Sequence, residues 1–179
     1  MHQRFAILAD PHLHDVRGNY CDGQIARECL AGGLELRTLA ETIQSTRLFN
    51  ESEMTFRAVL DDIAARGIRH IIVLGDYSDD GQDQSVAASL ALMQSYADRY
   101  GMRFFSTVGN HDVYAYAGRS LDRSFLLADG TSFRICGSAV DGEDVLFNPD
   151  MRCRSYTEGL PHGLGFFRDG SELYWESPF

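Results

Sequence analysis

Three short segments of the sequence place side chains that can bind a metal or carry a proton directly behind an apolar, β-prone run. The runs and the residues behind them are FAILA with Asp10 and His12, HIIVLG with Asp76, and FFSTVG with Asn110, His111 and Asp112. Any one of these segments alone is explained by a polar turn. Three occurrences of the same pattern in one chain predict a single site for metal or acid–base chemistry.

The elements around these segments alternate between strands and helices. Runs rich in Ile, Val and Phe predict strands at residues 3–9, 69–74 and 102–108, and helical spacing of apolar residues predicts helices at 51–66 and 82–100. Such alternation is typical of βαβ units, in which the carboxyl ends of the strands lie at one edge of the sheet. The sequence therefore predicts an α/β fold with a largely parallel sheet flanked by helices, and it brings the three polar segments together at that edge.

Both predicted helices carry an apolar stripe that should face the core. Asn50 or Ser52 can cap the first helix, Gly67 can end it, and Gly101 follows the second. The stripe residues are Met54, Val59, Leu60 and Ile63 in the first helix, and Val86, Leu90, Met93 and Ala97 in the second. This pattern predicts that both helices pack against the sheet.

The other parts of the chain have weaker patterns. Residues 13–50 are predicted to be a loop or helical insertion, in which the helical periodicity of residues 25–48 is interrupted by two glycines at 32–33. Residues 113–179 are predicted to be an irregular C-terminal segment, apart from two short strands around an Asp-Gly turn at 129–130.

The composition is that of one folded domain spanning residues 1–179. The chain is 44% hydrophobic and 23% charged, and its net charge is −10. This charge argues against a stable nucleic-acid partner, and no apolar run is long enough to cross a bilayer. The N-terminal apolar stretch is too short for a signal peptide, so a cytoplasmic location is the default and an exported one applies if a leader was removed.

None of the four cysteines forms a C-x-x-C pair. Isolated buried thiols are favoured, and two disulfides are the alternative for an exported protein.

The polar side chains suit a metal centre. Asp10 and His12 are two residues apart, which puts them on the same side of an extended segment, and both can bind one ion. Asp76 can bridge two ions through its carboxylate, and Asn110 offers a hard amide oxygen. Two cations about 3.5–4 Å apart can activate a water and clamp a phosphoester. His111 could then protonate the leaving alkoxide or stabilise charge on the phosphoryl oxygens.

Three motifs, in this order, resemble the first three sequence blocks of the calcineurin-like metallophosphoesterases. They are D-P-H at 10–12, G-D-Y-S-D-D-G at 75–81 and G-N-H-D at 109–112. The resemblance implies the N-terminal half of a four-layer αββα sandwich and a site for two divalent ions from among Mn, Fe, Zn, Co and Ni. The implied function is hydrolysis of a phosphomonoester or phosphodiester by a hydroxide that bridges the metals.

The resemblance also assigns roles to individual residues. Asp10 and His12 correspond to ligands of the first metal, Asp76 to the bridging ligand, Asn110 to a ligand of the second metal, and His111 to the catalytic histidine. Asp112 could orient His111, as carboxylates orient imidazoles in many sites. His14 is a candidate substrate contact, with a solvated loop position as the alternative. Asp79 and Asp80 are expected to shape their loop by hydrogen-bonding its backbone.

The sequence departs from the family pattern after Asp112. The family continues with a lone histidine and then G-H-x-H, whereas the only later histidine here is His162. We therefore expect the N-terminal part of a longer protein, with at most a partial metal site. The alternative function is a truncated or degenerate module that binds a metal or a partner protein without turnover. Half a sandwich would leave one sheet face uncovered, through which we expect a homodimer.

Overall fold

The computed structural model describes residues 3–139 and 145–163. In chain order the elements are β1 (Phe5–Leu8), a 3-10 turn (Arg27–Cys29), α1 (Leu39–Ile43), α2 (Ser52–Ala65), β2 (His70–Leu74), α3 (Asp83–Tyr100), β3 (Arg103–Thr107), β4 (Arg119–Ser120), β5 (Asp122–Leu126), β6 (Ser132–Cys136), β7 (Val145–Phe147), β8 (Arg152–Cys153) and α4 (Tyr156–Gly163).

The main sheet confirms the predicted α/β fold. Its three strands are parallel in the order β1-β2-β3, with Phe5 opposite His70 and His70 opposite Arg103. Helices α2 and α3 lie between these strands in sequence and pack in one core with the sheet. Because all three strands run the same way, the loops that follow them leave from the same edge.

The core between sheet and helices is continuous but uses a different stripe of α2 from the predicted one. The buried apolar residues of α2 are Phe56, Leu60 and Ile63, at the i, i+4 and i+7 positions of one face. Met54 is 74% exposed and Val59 is 38% exposed, so their assignment to the core was wrong. In α3 the predicted stripe is confirmed, and Gly101 ends the helix in the left-handed conformation, with φ of 64°.

The opposite face of the sheet is not covered by the described residues. Phe5, Ile7 and Leu74 are 52%, 64% and 53% exposed. Since side chains alternate along each strand, the neighbours Ala6, Leu8 and Val73 point to the helical side and join the core.

A second apolar cluster lies around the short strands after residue 118. Strands β5 and β6 form the predicted hairpin around residues 129–130, and β7 adds a parallel strand to β6. Strands β4 and β8 form a separate antiparallel pair. The described part of 113–179 is thus more regular than predicted, because strands of two or three residues are too short to show periodicity.

Residues 13–50 are held against this second cluster. The segment contains only the 3-10 turn and the five-residue helix α1, whose Leu39 and Ile43 are exposed. Backbone hydrogen bonds tie it to the β5 region, from Thr38 to Ser124 and from Leu126 to Leu36. The insertion also contacts the loop after β2, because Arg37 and Arg47 pair with Asp79. Among the described helices, none has the length and apolarity to cross a membrane.

Candidate active site

The loops after β1 and β2 run side by side and are joined by backbone hydrogen bonds. The amide of His12 donates to the carbonyl of Asp76 at 2.8 Å, and the amide of Asp79 donates to the carbonyl of Leu13 at 2.8 Å. The loop after β3 joins them, because the His111 amide donates to Asp76 Oδ1 at 2.7 Å. The three polar segments therefore meet at one edge of the sheet.

The candidate ligands adopt a backbone conformation that side chains rarely accept. Asp10, His12 and Asp76 have φ values of 52°, 45° and 46°. Left-handed backbone costs a non-glycine residue about 1–2 kcal/mol, and such strain concentrates at functional sites. The prediction of an extended segment at residues 10–12 was wrong, because β1 ends at Leu8 and both Asp10 and His12 are left-handed.

Two glycines permit the loops to approach each other. A Cβ on Gly75 would lie 2.7 Å from the amide nitrogen of Gly109, and one on Gly109 would lie 2.1 Å from Asp76 Oδ1. Neither separation is possible for a real side chain. Glycine at positions 75 and 109 is therefore required by packing.

Asp10, His12 and Asp76 can hold one cation together. Their ligand atoms all lie within 4.8 Å of one another. His12 Nδ1 is buried and has no hydrogen-bond partner among the described residues, a costly state for a polar atom unless a ligand satisfies it. Burial, then the charges of Arg47 and His111, lower the pKa of His12, which favours the neutral imidazole that binds metals. The donor set thus fits a divalent metal.

Asn110 lies in the turn between Gly109 and His111 and is exposed. Its side chain makes no hydrogen bond with the described residues, so its amide oxygen is available to a ligand. Its assignment to a metal stays a prediction.

His111 sits beside the candidate ligands. Its ring lies edge-on to the His12 ring at a centroid distance of 4.8 Å. Its Nδ1 is 3.2 Å from Asp80 Oδ1 and 3.0 Å from Arg47 Nη1, while the side chain remains 23% exposed. In the described part of the chain Nε2 has no partner, so this nitrogen is the one available to a reacting group.

Asp112 does not make the contact that was expected of it. Its Oδ1 accepts from the amide and hydroxyl of Ser78, and its Oδ2 accepts from the amide of Gly109 at 2.9 Å. Burial raises the pKa of Asp112 to about 6 against the opposing effect of these hydrogen bonds. Asp112 therefore ties the loops after β2 and β3 together, and the carboxylate beside His111 is that of Asp80.

His14 is placed in the core and not in the cleft. It is 1% exposed, its Nε2 lies 3.0 Å from the Glu35 carbonyl oxygen, and its ring stacks on Tyr20 at 5.1 Å. Burial lowers its pKa to about 3. The predicted contact with substrate does not fit this geometry, because the ring is buried against the aromatic rings of Tyr20 and Phe125.

Asp79 and Asp80 are buried ion-pair partners, which the sequence argument missed. Asp79 pairs with Arg37 and Arg47, and Asp80 pairs with Arg123. Burial and the adjacent Asp80 raise the pKa of Asp79 to about 6. Burial also opposes ionisation of Asp80, but the His111 hydrogen bond and the arginines lower its pKa. The sequence signal for these ion pairs was the presence of two adjacent aspartates behind a buried strand, since buried carboxylates need cationic partners.

A second set of residues could also hold a cation. The ligand atoms of His12, Asp79 and His111 lie within 4.8 Å of one another. Arg47 already contacts two of these three residues, which makes this set less accessible to a metal than the first. His162 lies in α4, and its side chain is outside the described residues.

The described residues thus combine a parallel sheet with aspartate and histidine side chains at its carboxyl edge that could hold a metal. The family model for calcineurin-like phosphoesterases matches residues 3–169, and the chain belongs to this family. Membership supports a metal-dependent phosphoesterase in general terms. A search of curated proteins found no significant match.

Proposed function

We propose that this protein hydrolyses phosphomonoesters or phosphodiesters at the edge where the loops after β1, β2 and β3 meet. The observation that carries the proposal is the grouping of Asp10, His12 and Asp76 within 4.8 Å, with the His111 ring beside His12. This arrangement places candidate ligands for a cation beside His111, whose Nε2 has no hydrogen-bond partner among the described residues.

Asp10, His12 and Asp76 would hold a divalent cation, and Asn110 is available as a further ligand. When bound, such an ion polarises phosphoryl oxygens and activates water as a nucleophile. The buried carboxylate of Asp76 also holds the His111 amide, so occupation of the metal site and the position of His111 are linked.

His111 would donate a proton to the leaving group. With Nδ1 held 3.2 Å from Asp80 Oδ1, Nε2 faces away from that carboxylate and is the ring nitrogen from which a proton would be transferred. As the phosphorus–oxygen bond breaks, the Nε2 proton passes to the departing oxygen and leaves a neutral imidazole. Asp80 is a positioning residue in this scheme.

The test compares two aryl phosphates with leaving groups of different basicity. In Mn²⁺-loaded protein, His111→Ala should lower kcat/KM for phenyl phosphate about 100-fold or more. The loss should be smaller for p-nitrophenyl phosphate, because its leaving group needs less protonation. His70→Ala, at the opposite end of β2, is the control and should keep the activity. Equal losses on both substrates would contradict proton donation by His111, and full activity in His111→Ala would contradict the proposed site.

The second candidate function is metal binding without turnover. It is favoured by the absence of G-H-x-H from the sequence. Under this alternative, the wild-type protein would bind Mn²⁺ through Asp10, His12 and Asp76 and hydrolyse neither aryl phosphate. Calorimetry of Mn²⁺ binding together with the two assays separates the two functions.

A further inference from the structure

An ion-pair network borders the candidate metal site on the His111 side. Its members are Asp79 and Asp80, the three arginines Arg37, Arg47 and Arg123, and Glu41, which pairs with Arg37. The Asp79 and Asp80 side chains are at most 1% exposed, whereas those of Arg47 and Arg123 are each 20% exposed. The network therefore buries these carboxylates and turns guanidinium groups toward solvent.

The arginines differ in how many of their donors are already used. Arg123 donates from Nε and Nη2 to Asp80 and from Nη1 to the Asp122 carbonyl. Arg37 is 3% exposed and donates to Glu41 and Asp79. Arg47 donates from Nε to Ser45 Oγ and from Nη1 to Asp79, and its Nη2 has no partner in the described part of the chain. Arg47 is thus partly exposed with a donor still available.

The guanidinium group of Arg47 is fixed in place before any ligand arrives. Besides Asp79 and Ser45, it is stacked over the ring of Phe49, with 5.0 Å from Cζ to the ring centroid, and Phe49 is 2% exposed. Asp79 is in turn held by Arg37. A cation that is held in this way loses little conformational entropy on binding an anion.

Arg47 is also adjacent to the reacting groups. Its Nη1 lies 3.0 Å from His111 Nδ1, and the His111 ring is 4.8 Å from the His12 ring. A phosphoester bound between the candidate metal ligands and His111 would therefore meet the positive charge of Arg47 on the His111 side. Charge-assisted hydrogen bonds from a guanidinium group to phosphoryl oxygens are among the strongest hydrogen bonds, and Nη2 has two N–H groups that can form them.

We propose that Arg47 is a substrate-binding residue that holds the phosphoryl group through Nη2, next to His111 and opposite Asp10, His12 and Asp76. The inference rests on the proposed function for the identity of the anion. It assigns part of substrate recognition to the 13–50 insertion, outside the three motifs that carry the family resemblance.

The test is phosphate binding, which needs no turnover. Isothermal titration calorimetry of Mn²⁺-loaded protein with inorganic phosphate should show at least tenfold weaker binding by Arg47→Ala than by wild type. Arg47→Gln keeps an amide donor for Asp79 but removes the charge, and should show the same loss if Arg47→Ala fails to fold. Arg57→Ala is the matched control, because Arg57 is an exposed α2 residue paired with Glu53, and it should bind phosphate like wild type. Circular dichroism verifies that each variant is folded.

Several results would overturn the inference. They are wild-type affinity in a folded Arg47→Ala or Arg47→Gln variant, an equal loss in Arg57→Ala, and no phosphate binding by the wild-type protein. Failure of the inference and failure of the proposed function give different results. Arg47-dependent phosphate binding in a protein without hydrolytic activity would support the inference and contradict catalysis, whereas hydrolysis with Arg47-independent binding would do the reverse.

Discussion

Replacement of Gly109 by alanine tests whether the contact between the second and third loops builds the metal site. The new Cβ would lie 2.1 Å from Asp76 Oδ1, so the carboxylate has to move by about 0.9 Å to reach 3.0 Å, below which real Cβ contacts essentially do not occur. That movement breaks the 2.7 Å hydrogen bond from the His111 amide. Overpacking costs about 1–3 kcal/mol, and a hydrogen bond to a charged group contributes about 1.5–3 kcal/mol. We expect the free energy of unfolding to fall by about 2.5–6 kcal/mol.

The same movement displaces one of the three candidate metal ligands. Loss of a group that orients a metal ligand lowers metal affinity by about 10–100-fold, and we expect a loss in this range for Mn²⁺ in Gly109→Ala. Urea unfolding followed by circular dichroism measures stability, and calorimetry measures metal affinity. Gly32→Ala is the control: Gly32 has a φ of 64°, and a Cβ added there would meet no atom within 4 Å, so only backbone strain of about 1–2 kcal/mol applies. Unchanged stability and Mn²⁺ affinity in Gly109→Ala would refute the reasoning.

Three further outcomes follow from burial. Leu60→Ala should lower the free energy of unfolding by about 2–5 kcal/mol in urea titrations, whereas Met54→Ala should change it by less than about 0.5 kcal/mol. Similar losses of stability in the two variants would mean that Met54 is part of the core. Cys29 is exposed, so a thiol reagent at pH 8 should modify it first, while burial raises the pKa of the other thiols and keeps them protonated; rapid reaction of all four would contradict this. Ile7→Lys should reduce self-association in light scattering, since Ile7 is 64% exposed on the uncovered sheet face, and a monomeric wild-type protein would refute a dimer there. In the thiol-reagent experiment, the three buried thiols that we expect to react slowly are Cys21, Cys136 and Cys153.

Local sequence patterns were enough to predict the sheet, its helices and the edge at which polar residues collect. Ile- and Val-rich runs predict the strands, and helical spacing predicts α2 and α3. Parallel pairing then follows from the alternation of elements, and with it the meeting of Asp10, His12, Asp76 and His111. The boundaries of the shortest strands could not be predicted, because two or three residues contain too little periodicity.

The side chains that support those residues are set by tertiary packing. Asp112 and Asp80 are both close to His111 in the fold, but Asp112 is committed to Ser78 and Gly109, which leaves Asp80 beside the imidazole. Likewise, His14 follows the first motif closely in sequence, yet it stacks in the core. Neither outcome depends on residue type or spacing, since both are set by which partner the folded loops bring within hydrogen-bonding distance.

The arginine network shows most clearly that tertiary packing sets contacts which the local sequence does not predict. Arg37 and Asp79 are separated by 42 positions, Arg123 and Asp80 by 43, and Arg47 and His111 by 64. Nothing in the sequence around an arginine distinguishes a buried ion pair from a solvated one, because the distinction depends on burial by distant segments. The motifs thus indicated the candidate ligands at the sheet edge, and the path of residues 13–50 placed Arg37 and Arg47 beside them.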